Sequence, residues 1–372
     1  MSSEPRFYQD ARMGSGWRFV LSILLADDER LRPIWRFFLS AALLLAAFLV
    51  AEAAIGAVLL TGVVPHSFFV ALLLQSLASL GAVIAVFKLM TAGFEHRPLG
   101  SVGLAFHSRW WKELGFGALI GAAMLFLAAL LEWSSGLARF AWGARPTAEA
   151  GSFTFVLFAV AAINEEAVFR GYPFQRLVEA ITPAGAIAVS SVLFGIAHLA
   201  NPHRTWVSTL NTSLIGVPLA IAYLRTRSLW MPIGIHFAWN YLLGFFLGLP
   251  VSGVSVPASV LTARVGGPVA LTGGQYGPEG GLLTTAAILA VAAYVLFSKR
   301  ILMSEEMTAL ISAAMVGDAL TTEKLLRAGA DPRMADTYGR TAEQFACERG
   351  KRGNPQVCSL LKQSASTKPA GR

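Results

Sequence analysis

Three short pieces of this sequence set chemically able side chains at helical spacing among apolar neighbours. The first is Ile163-Asn164-Glu165-Glu166-Ala167-Val168-Phe169-Arg170, the second Phe194-Gly195-Ile196-Ala197-His198 and the third His236-Phe237-Ala238-Trp239-Asn240. Read as helix, Glu166 and Arg170 stand four apart on one face and can pair. Glu165 is turned away from that pair by about 100°, which leaves its carboxylate free to act on a water molecule. His236 and Asn240 are also four apart, so one site can see both. A carboxylate and a histidine can position and deprotonate water. A second histidine and an amide can donate hydrogen bonds to a developing oxyanion. Together the parts fit attack of water on a carbonyl, as in peptide hydrolysis. Two other readings use the same residues: Glu165, Glu166 and Arg170 as a buried structural ion network, or a proton relay of the kind transporters build from buried carboxylates and histidines. The internal repeat that many transporters show is not visible here.

These residues must be positioned by membrane helices. The chain has 372 residues, 55% hydrophobic and 14% charged, whereas soluble domains carry about 25% charged residues. Mean hydropathy is +0.58. The composition predicts an all-α polytopic transmembrane bundle of about eight spans, at 37–63, 68–90, 113–132, 152–178, 184–200, 207–224, 229–249 and 282–298. The first apolar run is too late and too long for a cleaved signal and is read as a retained span. The segments before residue 37 and around 88–112, 170–182, 225–227 and 299–300 are rich in Lys and Arg, and this bias puts both termini in the cytoplasm. It also explains the net charge of +8 without nucleic acid as a partner. The organisation is a cytoplasmic arm over 1–33, a transmembrane domain over 34–300, a small helical domain over 304–363 and a tail over 364–372. Ala-, Gly- and Arg-rich usage suggests a bacterial inner (cell) membrane. Pro173 predicts a kink just past the first motif. The loop over 251–281 is Gly- and Pro-rich, holds only Arg264 and Glu279 as charges, and is expected on the outward side, dipping back. Glu165 falls near mid-span, His198 outward of its span's centre and His236 inward of its own, offsets of about 5 Å each that helix tilt must absorb.

Past residue 303 charged residues return. The pieces "AAMVGD", "LLRAGAD" and "DTYGRTAEQFA" follow in order and resemble an ankyrin repeat, one full unit and part of another over about 304–363. Such repeats need about three units for independent stability, so this piece is expected to lean on the membrane domain, a sister chain or a protein partner. Cys347 and Cys358 lack paired metal or disulfide spacing and are expected to be free cytosolic thiols. Glu52, inside the first span, has no partner legible in sequence. His203 and Arg204 read as a solvated interfacial pair, and His66, His96 and His107 as loop residues outside any constellation.

The three motifs, taken in order on separate spans, resemble the CPBP group of intramembrane proteases. This group includes the CAAX prenyl endopeptidases and bacteriocin-processing or immunity proteins. Its patterns EExxxR, FxxxH and HxxxN read here as Glu165-Glu166-x-x-x-Arg170, Phe194-x-x-x-His198 and His236-x-x-x-Asn240, and the resemblance covers about 31–300. It implies a helical core around a water-filled cavity and endopeptidase activity on membrane-associated or lipidated protein substrates. Glu165 and His198 would activate water, His236 and Asn240 would form the oxyanion site, and Glu166, Arg170 and Phe194 would support them. Glu165, His198 and His236 are also an ordinary zinc set. No HExxH occurs, however, each ligand would come from a different helix, and the expectation is a metal-free reaction. A catalytically inactive relative, acting as a membrane scaffold or immunity factor through the ankyrin-like tail, is the alternative.

Overall fold

The computed structural model describes residues 15–25, 31–63, 67–95, 99–106, 110–298, 301, 310–311, 313–314, 317–333, 341–347 and 354–367. Of the sequence features above, His66, His96 and His107, the charges Lys299 and Arg300, residues 1–14 and 26–30 of the arm, and residues 304–309, 312, 315–316, 334–340 and 348–353 of the ankyrin-like segment lie outside the described residues. The rest is an α-helical bundle. A short helix α1 (Ser15–Leu24) leads to α2 (Pro33–Leu60), α3 (Phe68–Lys88), α4 (Trp110–Ser134), α5 (Ala148–Arg170), α6 (Tyr172–Ala180), α7 (Pro183–Ala197), α8 (Trp206–Thr226), α9 (Trp230–Tyr241) and α10 (Leu282–Phe297). π-helical turns extend α3 through Leu89–Phe94 and α9 through Leu242–Phe246.

Five helical stretches among the described residues are long and apolar enough to cross a membrane: Pro33–Leu60, Phe68–Phe94, Trp110–Ser134, Ala148–Ala180 and Trp206–Thr226. The shorter apolar helices α7 and α10, together with α9 and its π turn, fill the other three expected positions. The protein is an integral membrane protein of polytopic helical architecture.

Local chemistry sets the helix starts. Pro33 opens α2 and Pro183 opens α7 at a position where the missing N–H is not needed. Thr147 and Thr182 cap α5 and α7 by accepting from Ala150 N and Gly185 N, and Thr205 forms a reciprocal capping box with Ser208 on α8. At its other end α10 is capped by Arg225, which donates to the carbonyls of Val295, Leu296 and Ser298 at 2.6, 2.5 and 2.6 Å. The kink expected just past the first motif is present, with Pro173 in the first turn of α6. The break is at Gly171, where the Phe87 ring and the Ala167 carbonyl occupy the space a side chain would need.

The largest apolar core joins α4, α8, α9 and α10 through Met124, Leu125, Leu219, Ile235, Leu243 and Ile288. A second core, with Leu44, Val83, Phe87 and Tyr172, ties α2 and α3 to the α5–α6 junction. Glu52 of α2 does have a partner, accepting from Gln75 Nε2 on α3. Two short strands, β1 (Ala138–Trp142) and β2 (Leu261–Val265), pair antiparallel with Arg139 opposite Arg264. That ribbon joins two loops far apart in sequence and was not expected from either alone.

Two of the flanking cations have an acidic partner: Arg176, 1% exposed, and the partly buried Arg36 both donate to Glu95 Oε1, at 3.0 and 2.8 Å. The expectation of free thiols fails, since Cys347 and Cys358 form a disulfide. It links α12 (Ala342–Cys347) to α13 (Pro355–Thr367), which share a small core with α11 (Ala319–Arg327) built on Ala342, Ala346, Val357 and Leu361. The two cysteines stand eleven positions apart in sequence, a spacing that names no motif; the packing of two helices brings them together.

Candidate active site

Glu165, Glu166 and Arg170 occupy the last two turns of α5. Arg170 is fully buried and its Nη1 meets Glu166 Oε1 at 3.1 Å, the i,i+4 pair expected from spacing. Its Nη2 reaches the Gly216 carbonyl at 3.4 Å, and its guanidinium lies over the Phe194 ring, 4.4 Å from the centroid. The same ring meets His198 edgewise at 4.7 Å and His236 at 6.1 Å. Phe194 is therefore the common wall between the arginine and both imidazoles.

Close helix approach brings the other two motifs in. On α7, Gly195 sits against Ser213 and the Thr209 carbonyl, and on α8 Gly216 sits against Ser191, so the two helices nearly touch. His198 forms the C-cap of α7, with Nδ1 2.8 Å from the Phe194 carbonyl. On α4, Gly117 and Gly121 lie against the carbonyls of Met231 and Ile235, while Gly234 lies against that of Leu114. A methyl at any of the three would strike backbone, and this contact fixes the axis of the helix that carries His236 and Asn240.

The partners assign the imidazole protons. A carbonyl can only accept, so His198 Nδ1 carries hydrogen and Nε2 is left bare. Glu166, held by Arg170, accepts from His236 Nδ1 at 2.8 Å. Both Nε2 atoms then face Glu165 Oε2, at 3.7 Å from His198 and 3.8 Å from His236. That oxygen is buried and has no hydrogen-bond partner among the described residues, although the side chain as a whole is 29% exposed. All four candidates, Glu165, His198, His236 and Asn240, line one cavity of about 420 Å³.

Glu165 Oε2 and the two Nε2 atoms are chemically suited to zinc, but Oε2 stands farther from each nitrogen than the edge of about 3.3 Å that bonds of about 2.0–2.1 Å impose on a tetrahedral ion. No group of three or more His, Cys, Asp or Glu among the described residues is arranged to hold a metal. As spaced, Glu165 Oε2 and His198 Nε2 can each accept one hydrogen of a shared water molecule at ordinary hydrogen-bond lengths.

The same cavity is lined by polar residues that sequence reasoning did not single out: Asn201, Asn211, Ser252 and Glu279. The signal for Glu279 was present, since it is one of only two charges in the loop 251–281. His203 and Arg204 are exposed and stand apart from the cavity lining.

Residues 147–242 match the family described as "Type II CAAX prenyl endopeptidase Rce1-like". That stretch holds all three motifs. A stretch of 81 residues is 36% identical to the protein of Bacillus subtilis (strain 168) named "Putative membrane peptidase YdiL", covering 22% of this chain and 31% of that protein. The chain thus spans about a third of that relative's length. No solved structure gives a significant match. The family match runs from α5 to α9.

Proposed function

We propose that this protein is an intramembrane endopeptidase that hydrolyses a peptide bond of a membrane-associated or lipidated protein with water activated by Glu165 and His198. The observation that carries the reading is a single acceptor: Glu165 Oε2 is buried, unbonded and set between two imidazoles in a cavity.

In the reaction, a water oxygen bonds to the carbonyl carbon while one of its protons passes to the Glu165 carboxylate. His198 Nε2 accepts the water's other hydrogen and orients it. The carbonyl oxygen becomes an oxyanion, met by the Asn240 amide and by His236, which donates from Nε2 when protonated and from Nδ1 to Glu166. Collapse of the tetrahedral carbon breaks the C–N bond, and the proton held on Glu165 goes to the leaving amine. Glu166 and Arg170 hold His236 in place without touching the substrate. Every proton has a named carrier in this scheme, and none of its steps calls on a metal. The matched family description and the similarity to a named membrane peptidase support the protease class.

The localisation that accompanies this reading is a bacterial inner membrane with both termini cytoplasmic. The flanking Lys and Arg residues support it, and so does the bacterial source of the relative. The ankyrin-like segment over 304–363 is read as a docking piece for a protein partner. The test is cleavage of a membrane-tethered reporter by membranes carrying the wild-type chain, Glu165→Ala or His198→Ala. Cleavage by the wild type and loss in both variants is expected; full cleavage by both variants refutes the assignment.

A further inference from the structure

Of the two charged residues in the loop 251–281, Arg264 lies on β2 in the ribbon, while Glu279 turns into the helix bundle and lines the cavity that holds Glu165. Both of its carboxylate oxygens are engaged. Oε1 accepts from Trp239 Nε1 at 2.9 Å, and Oε2 accepts from Ser252 N at 2.6 Å and Ser252 Oγ at 2.8 Å. The carbonyls of Glu279 and Gly281 accept from Asn211 Nδ2, each at 2.9 Å, and the Thr285 hydroxyl donates to Asn211 Oδ1 at 2.7 Å. One short segment therefore joins α8, α9, the start of α10 and the turn at 251–254. Two left-handed glycines make the approach possible: Gly277 (φ +98°) lies against the Pro250 carbonyl and Gly253 (φ +87°) against that of Pro202.

Trp239 matters because of its place on α9. It is buried, follows His236 by three residues and precedes Asn240. Rotation of α9 about its axis moves all three side chains together. The glycine contacts with α4 fix where that axis runs. A hydrogen bond to the indole from a separately anchored point fixes the rotation.

We propose that Glu279 is a positioning residue: through Trp239 it sets the rotation of α9 that presents His236 and Asn240 to Glu165, and through Ser252 it holds the 251–254 turn over the cavity. The first half rests on the peptidase reading above; the second does not. Glutamine is a poor substitute, because its amide nitrogen would face either the indole N–H or the Ser252 N–H, both donors.

The experiment uses the full chain. Glu279→Gln is expected to lower kcat about ten-fold or more, as misplacing an oxyanion donor does, with KM nearly unchanged and thermal unfolding preserved. Trp239→Phe removes the same bond, so the double variant falls no further than Glu279→Gln alone. Wild-type kcat in Glu279→Gln, additive losses, or a loss that tracks unfolding overturns the positioning role. A second measurement needs no cleavage. In a Cys347→Ser/Cys358→Ser background, a cysteine placed at the buried cavity residue Leu157 is labelled with a water-soluble maleimide in detergent. Glu279→Gln is expected to speed labelling several-fold, and an unchanged rate overturns the hold on the turn. If Glu165→Gln proves as active as wild type, the peptidase reading falls while the labelling still decides for or against that hold.

Discussion

Glu95 and Glu165 both meet basic side chains inside the bundle, yet Glu95 Oε1 takes three hydrogen bonds where Glu165 Oε2 takes none. Arg36, Tyr172 and Arg176 donate to Glu95 at 2.8, 2.6 and 3.0 Å, drawn from α2 and α6 to the end of α3. Glu165 instead faces a cavity and two imidazole Nε2 atoms, both beyond hydrogen-bond length. A carboxylate saturated by donors has no capacity left for a substrate and acts as a brace. One held near groups it does not bond can take up a proton and give it back. The two clusters are joined by only a few residues, since Arg170 ends α5 and Tyr172 begins α6. The brace at Glu95 therefore anchors the segment that carries the reactive carboxylate.

Breaking each cluster should produce opposite signatures. Glu165→Gln is expected to reduce reporter cleavage by about 10²–10⁴-fold, the usual contribution of a general base, with thermal unfolding unchanged or slightly raised. A destabilised but active Glu165→Gln would place it with Glu95 as a brace. Arg176→Ala is the converse, because it leaves the Glu95 carboxylate short of a buried partner. A loss of about 3 kcal/mol is expected in thermal unfolding of the detergent-purified protein, with cleavage per folded molecule retained.

A smaller effect follows from pH. Burial alone would raise the pKa of Glu95, but Arg176, Tyr172 and Arg36 outweigh it and hold the carboxyl below its ordinary 4.5. The folded state therefore favours the ionised form. The stabilisation is present above the unfolded value and is lost as pH falls through the folded one. Melting temperature measured downward from pH 5 should drop more steeply for wild type than for Glu95→Gln. Smallest of all is the expected response to a chelator: incubating active protein with excess EDTA should leave the cleavage rate unchanged. Loss of activity restored by zinc would move Glu165, His198 and His236 from proton carriers to ligands.

Much of this was written locally. Hydropathy marked all eight apolar segments to within a few residues, because a span needs only a run of apolar side chains. The Glu166–Arg170 pair was legible from its i,i+4 spacing, and so was the release of Glu165 from that pair. The Glu95 cluster was not legible, because 59 and 81 residues separate Glu95 from Arg36 and Arg176, and flanking arginines look alike whether they face lipid headgroups or a buried acid. The break just past the first motif was legible from Pro173, while the Phe87 ring pressing on Gly171 was not. Glu279 stood out only as a rare charge, with nothing local to say that it turns inward.

The sequence by itself determined the membrane helices, their starts, and the three sets of side chains that share a face, since each depends on neighbours within about one helical turn. The tertiary structure decided which of those faces meet. Backbone contact at Gly117, Gly121 and Gly234 seats α9 on α4, and close approach at Gly195 and Gly216 seats α7 on α8, so two of the three motif helices are placed by a glycine seam. Such closeness depends on the absence of side chains on two helices at once, which no single stretch of sequence can specify.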